Sequence, residues 1–208
     1  MARRKLTLAL GPIVAAVAAA REPTGSDELV LDVTAQLLVE HGLGRWSVDD
    51  VAERAGVGRT TVYRRFPSRD DLVHEVLARE LRQTISAVGF AVDAVDSIED
   101  KVVEGSLAAL AALDRSIVDG LLRSDPITML PFLTTGAGPL VDLARRAFAP
   151  AILAAGVAPD AAGADLVAEA LARLGLSLVL TRESALPLHD TDALRAAVRG
   201  LVKPLVRT

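Results

Sequence analysis

Within the stretch AGVGRTTVYRRFPSRDDL, residues 55–72, the twelve residues from Gly58 to Arg69 hold four arginines, the hydroxyls of Thr60, Thr61 and Ser68, and no acid. Side chains of these types recognise polyanions. A guanidinium grips two acceptors on a guanine edge or clamps a phosphate, and a threonine meets a base edge or a thymine methyl. The rest of the chain does not share this charge. Its formal net charge is −4, yet residues 1–82 balance 12 Lys+Arg against 12 Asp+Glu, so the deficit falls in residues 83–208. A local basic face on an acidic protein marks a docking site for a polyanion.

Other chemistries lack their residues. There is no G-x-S-x-G elbow, no phosphate-binding Gly-Lys loop and no Cys-His pair, and the carboxylates fall on outward helical positions, so no catalytic residue is assigned and no enzyme is expected. The chain has no cysteine, and His41, His74 and His189 lack ligand spacing, so neither a metal site nor a cofactor is expected.

The arginines need a scaffold, and local signals supply one. Hydrophobic residues make up 51% of the chain and aromatics 3%, Ala and Leu dominate, and runs with strand alternation are missing, so the expected fold is all-α. Ser26 precedes Asp27 and Glu28, and Leu29, Val30, Val33, Leu37 and Leu38 follow at helical spacing up to His41-Gly42; this predicts a helix with an N-cap, first-turn acids and a glycine stop. Ser47 and Asp50 bracket the start of VDDVAERA as a capping-box pair, Gly56-Val57 makes a tight turn, and a third helix runs from Gly58 through Phe66. Two short helices joined by a glycine turn form a helix-turn-helix. With Val62 and Phe66 turned inward, helical spacing puts Arg59, Thr60, Tyr63 and Arg64 on the outward face with Thr61 at its margin. Arg59, Thr60 and Thr61 are expected to read bases, and Tyr63, Arg65 and Arg69 to hold phosphates. Arg69 follows Ser68, the N-cap of the next helix, so a helix terminus reinforces its charge.

Residues 29–76, from the helix ending in EHG through SVDDVAERAGVGRTTVYRRFPSRDDL, resemble the DNA-binding domain of TetR-family transcriptional regulators. The resemblance implies that Ser47, Arg59, Thr60, Thr61, Tyr63, Arg65 and Arg69 face DNA. It departs from the family pattern at Gly58, where a capping serine is common, at Trp46, where a smaller residue is usual, and at Arg65, where histidine or tyrosine is common.

Beyond the motif, a long helix is expected from Arg69 to about Phe90, then helical stretches near 97–114, 116–123, 126–133, 138–155, 160–183 and 190–206, with a kink or restart at Pro150. In 160–183 apolar residues surround the helix almost completely, which asks for a second partner besides the domain core. Ala164, Ala168, Ala172 and Gly175 form a ridge of small residues, with Leu171 and Leu178 beside it. That ridge seats either a second subunit or a helix of the same chain. The resemblance implies the first, a homodimer through a four-helix bundle formed by late helices. It also implies an inducer pocket in the C-terminal domain, for which Phe90, Leu110, Leu113, Leu122, Met129, Phe132 and Phe148 are the candidates. All are apolar, so a small apolar ligand is expected.

The domains expected are an extension over 1–25, a helix-turn-helix domain over 26–72 and a ligand-binding and dimerisation domain over 73–208. The N-terminus, MARRKLTLALGPIVAAVAAAREP, has a basic start, an apolar stretch and small residues before Arg21, the layout of a secretory leader. Its fifteen apolar-stretch residues include Gly11 and Pro12 and fall short of the ~20 a membrane span needs. A cytoplasmic regulator is therefore expected, with no membrane partner, a palindromic double-stranded DNA operator, and a helix near Ile13–Arg21. The alternative is an exported helical binding protein with a cleaved leader.

Overall fold

The computed structural model describes residues 10–19, 25–181 and 183–206, the last five without their side chains. The basic tip of the N-terminus, Ala20 and Arg21 lie outside the described residues. Among the described residues the secondary structure is entirely helical: α1 (Leu10–Ala18), α2 (Gly25–His41), α3 (Val48–Ala55), α4 (Arg59–Arg65), α5 (Arg69–Asp93), α6 (Ile98–Arg115), α7 (Ile117–Ser124), α8 (Pro126–Leu133), α9 (Gly138–Ala154), α10 (Ala161–Leu180) and α11 (Thr191–Val206). No single helix among them is long and apolar enough to cross a membrane.

The helix ends follow from local chemistry. Ser97 caps α6 by accepting the Asp100 N–H at 3.0 Å, Ser116 caps α7, and Asp125 caps α8 with Pro126 at its first position, where a missing N–H costs nothing. Asp160 accepts the Gly163 N–H at 2.7 Å to start α10. The start of α2 differs from expectation: the helix takes in Gly25 and Ser26, so Ser26 lies in the first turn and does not cap it. Helix α9 runs unbroken from Gly138 to Ala154 through Pro150, whose exposed ring faces away from the packed side.

The chain packs as two compact units, one of residues 1–81 with 116–137 and the other of 82–115 with 138–208. In the first, α3 packs on α2 and α4, and α7 on α2 and α8. Its core includes Leu31, Leu38, Val51, Val62, Leu72 and Val76, all nearly inaccessible. Leu10 and Ile13 of α1 are buried too, and Ile13 completely. In the second unit α10 packs on α9 and α11 on α6, around one cluster of Val103, Leu107, Leu194 and Val198 and another of Ala149, Ala158, Ala164 and Ala168. Paired charges edge the α6–α11 seam: Arg195 reaches Glu104 at 2.8 Å, and Arg199 reaches Asp100 at 2.7 Å and Glu99 at 3.1 Å.

Candidate DNA-binding interface

Helix α3 is fixed at both ends. Ser47 has extended backbone, its hydroxyl accepts the Asp50 N–H at 3.2 Å and donates to the Asp50 carboxylate at 2.9 Å, and that carboxylate also accepts the Ser47 N–H at 2.8 Å. The expected capping box is present, and it engages the Ser47 hydroxyl within the chain. At the other end Gly56 sits at φ 65°, where a Cβ would be strained, and the Val57 N–H returns to the Ala52 carbonyl at 3.1 Å. This turn sets the direction of α4.

Helix α4 follows from Gly58, which offers no side-chain cap; its amides close onto the Gly58 carbonyl from Thr61 at 2.8 Å and Val62 at 3.1 Å. Val62 is buried and anchors the helix. Arg59, Thr60, Tyr63 and Arg64 are exposed and Thr61 is half-buried, as the spacing predicts. Arg59, 66% exposed, reaches the Asp49 carboxylate of α3 at 3.3 Å. That partner shares the surface, so a guanine or phosphate competes with one weak, solvated ion pair.

Arg69 is held differently. Its guanidinium lies 5.8 Å from the Trp46 ring centroid and donates to the Trp46 carbonyl at 3.4 Å, while the buried indole N–H donates to the Gly42 carbonyl at 2.9 Å. Trp46, a departure from the family pattern, is the platform on which Arg69 rests. Ser68 caps α5 through the Asp71 N–H at 3.2 Å, so Arg69 stands at a capped helix N-terminus.

Arg65 departs from expectation. It turns away from the exposed face and grips Asp27 of α2 with two hydrogen bonds, Nε to Oδ1 at 3.0 Å and Nη2 to Oδ2. The Asp27 hydrogen bonds push the guanidinium pKa above its ordinary value. Both residues border a cavity of about 240 Å³ lined also by Pro12 and Ala16 of α1 and by His74 and Glu75 of α5. A residue gripped in this way is unavailable to a phosphate while the pair holds. A companion clamp joins α2 to α5: buried Arg79 donates to Glu28 at 2.9 Å and Asp32 at 2.8 Å. Arg54 of α3 likewise meets Glu40 of α2 at 2.8 Å and holds its carboxyl below the ordinary value. None of these pairings shows in the sequence, where Asp27 and Glu28 read only as first-turn acids, because the partners lie 14 to 51 residues away.

Residues 30–76 match the family model of bacterial regulatory proteins, tetR family. The HTH-type transcriptional regulator AlkX of Mycobacterium tuberculosis is 29% identical over 153 residues, 72% of each chain. The crystal structure of the TetR family repressor AlkX from a Dietzia strain, implicated in biodegradation of n-alkanes, matches with a TM-score of 0.59 at 27% identity over 85% of this chain and 94% of that one. Residues 30–76 carry the DNA-binding region of the TetR family of transcriptional regulators, and the chain as a whole is similar to regulators of that family. It is a DNA-binding regulator, and α3 and α4 are its helix-turn-helix. The transcriptional regulator LuxR of Vibrio harveyi is 36% identical over 61 residues, 29% of this chain and 30% of that protein. A TetR-family regulator of Streptomyces coelicolor, at 21% identity and a TM-score of 0.57 over 91% of this chain and 99% of that one, shares the fold.

The residues expected to pair subunits and to line a pocket lie in α5 to α10. The first half of the small-residue ridge of α10 packs within its own unit. Ala164 and Ala168 are buried with Ala149 of α9, against which Phe148 and Ile152 also pack, and a Cβ on Gly175 would stand 3.7 Å from Leu113 of α6. Small side chains admit a close neighbour, and for Ala164 and Ala168 that neighbour is intrachain, while Gly175 is half-buried. Ala172 and Leu178 are half-buried, whereas Leu166, Leu171 and Leu174 are exposed. The seven pocket candidates divide between the two units. Leu122, half-buried Phe132 and fully buried Met129 belong to the first unit, and Leu110, Leu113, Phe148 and Phe90 to the second, where Phe90 is 79% exposed and encloses nothing.

Proposed function

We propose that this regulator is a homodimeric repressor that binds a palindromic operator through α4 and is released from it by a small apolar ligand. The observation that carries the DNA half is the outward face of α4: Arg59, Thr60, Tyr63 and Arg64 exposed together, on a helix whose inward Val62 fixes which face looks outward and whose neighbour is capped and glycine-turned. A helix so presented suits the major groove. Arg69, seated on Trp46 at the start of α5, suits the flanking phosphate. Ser47 contributes through its backbone and cap geometry. A second copy is proposed to cover the exposed leucines of α10, Leu166, Leu171 and Leu174, which no described residue buries. Two heads then meet half-sites about 34 to 36 Å apart or a multiple of that.

The solved repressor implicated in n-alkane biodegradation makes n-alkanes and similarly apolar compounds the first ligand class to test, with Leu110, Leu113 and Phe148 of the second unit as proposed lining. A cytoplasmic site of action is proposed with it. The exported alternative is disfavoured by α1, since a leader that is cut away has no reason to bury Ile13 completely. Selection of bound duplexes from a random pool by the full chain tests the reading. Enrichment of an inverted repeat supports it, and a pool that stays unenriched while the folded chain remains in solution rejects it.

A further inference from the structure

We infer that Asp27 is a positioning residue for sequence reading: through its two-point grip on Arg65 it sets the tilt of α4 in the groove. The inference rests on the DNA-binding reading of α4. Helix α4 has seven residues, no side-chain cap at its start and a single buried side chain, Val62, near its middle. One apolar anchor lets so short a rod rock. Arg65 closes that freedom at the far end, where its planar fork meets both oxygens of a carboxylate that is itself only 8% exposed and is carried by the first turn of α2. Glu28 and Asp32, on the same turns of α2, hold Arg79 of α5, so the strip that orients α4 is in turn clamped to the next helix.

The leverage is geometric. Arg59 and Arg65 are six positions apart, about 9 Å along the axis, so a tilt of ~10° pivoting near Arg65 moves the reading end by about 1.5 Å. A bidentate contact to a base edge does not survive such a shift. Phosphate contacts made by flexible arginines elsewhere do survive it. Loss of the Asp27–Arg65 pair therefore degrades discrimination between sequences and spares general affinity for DNA.

Two roles for Arg65 make opposite predictions for its partner. If Arg65 serves a phosphate, replacing Asp27 with a neutral residue frees it and strengthens binding. If Asp27 positions α4, the same change weakens operator binding. The experiment takes the full chain and the duplex it enriches from a random pool, and measures affinity for that duplex and for an unrelated one across a salt series, with Asp27→Asn, Arg65→Gln and the double variant. Expected are losses of roughly 10-fold or more on the enriched duplex for each single variant, no further loss in the double, nearly unchanged affinity for unrelated DNA and an unchanged salt slope. Asp27→Glu and Arg65→Lys keep both charges and alter only the fork geometry. They are expected to show the same selective loss to a smaller degree, and they decide the matter if the neutral variants fail to fold. Tighter or equal operator binding by folded Asp27→Asn, or Arg65→Gln weakening all DNA alike with a shallower salt slope, overturns the inference while leaving the DNA reading intact. A wild-type chain that enriches no duplex overturns both.

Discussion

Arg59 is the more exposed of the two α4 arginines for which an ion pair is seen, and its Asp49 partner at 3.3 Å is solvated, so DNA displaces that contact at little cost. Arg59→Ala is expected to weaken the enriched operator by ~1 to 3 kcal/mol and to relax preference at one base position, with a milder effect for Thr60→Ala, as read by binding competition among single-base variants. Arg69→Ala is expected to behave otherwise. Its seat on Trp46 points to a phosphate, so its loss should weaken all duplexes similarly and reduce the salt slope by about 1. An Arg59→Ala protein with unchanged preference would remove that side chain from base reading. At this scale the sequence was legible where a residue's partner is close in the chain. The Ser47–Asp50 box, the Gly56 turn and the outward set on α4 each depend on spacings of three or four residues. The pairing of Arg65 is not legible because its orientation depends on Asp27, 38 positions away, and an arginine beside an outward arginine looks the same whichever way it turns.

Among the helices, the ends of α3 through α11 lie within a few residues of their sequence expectation, since caps and apolar periodicity are local properties. Which helix covers which face was not legible, and the ridge on α10 shows why: small residues announce close approach without naming the neighbour. Helix α1 gives a direct test of membership in the fold. Ile13 is fully buried, so Ile13→Ala should cost about 2 to 4 kcal/mol of unfolding free energy, seen as a lower urea midpoint at an unchanged slope. No change would mean that α1 does not dock. The α6–α11 seam carries a pH signature. The Ser97 hydroxyl and then Arg199 hold the Asp100 carboxyl below its ordinary 3.8, and Arg145 does the same for Asp142 on α9. A folded-state value below the unfolded one means bound protons favour unfolding. The stabilisation is therefore complete above the ordinary carboxylate range and is lost as the pH falls through the folded values. Arg199→Ala should lower Tm near neutral pH and show a gap from wild type that closes on acidification below about pH 4, followed by circular dichroism. A gap that stays constant into acid would dissociate Asp100 from the seam.

For the molecule as a whole, assembly and switching are linked problems. Leu166, Leu171 and Leu174 present an exposed apolar edge, and Leu174→Glu should give folded monomers by sedimentation, because a charge placed there is tolerated by solvent and not by a subunit interface. Ala168→Glu should unfold the second unit instead, since its environment is the intrachain cluster with Ala149 and Ala164. Operator affinity of the Leu174→Glu monomer should drop far below that of the dimer, because two linked heads act at a high effective concentration. The proposed release by a ligand obeys reciprocity. A compound that shifts the dimer toward a state with weaker DNA affinity does so only by its difference in affinity for the two states. One that lowers operator affinity ten-fold must itself bind the operator complex ten-fold more weakly, a coupling of about 1.4 kcal/mol. Medium-chain n-alkanes should raise the Tm of the free dimer and, in calorimetric titrations, bind the operator complex more weakly by the same factor by which they reduce operator affinity. Alkanes that stabilise the dimer but leave operator affinity unchanged would occupy a cavity without acting as inducers, and a regulator of another ligand class would then be the better account of its C-terminal unit.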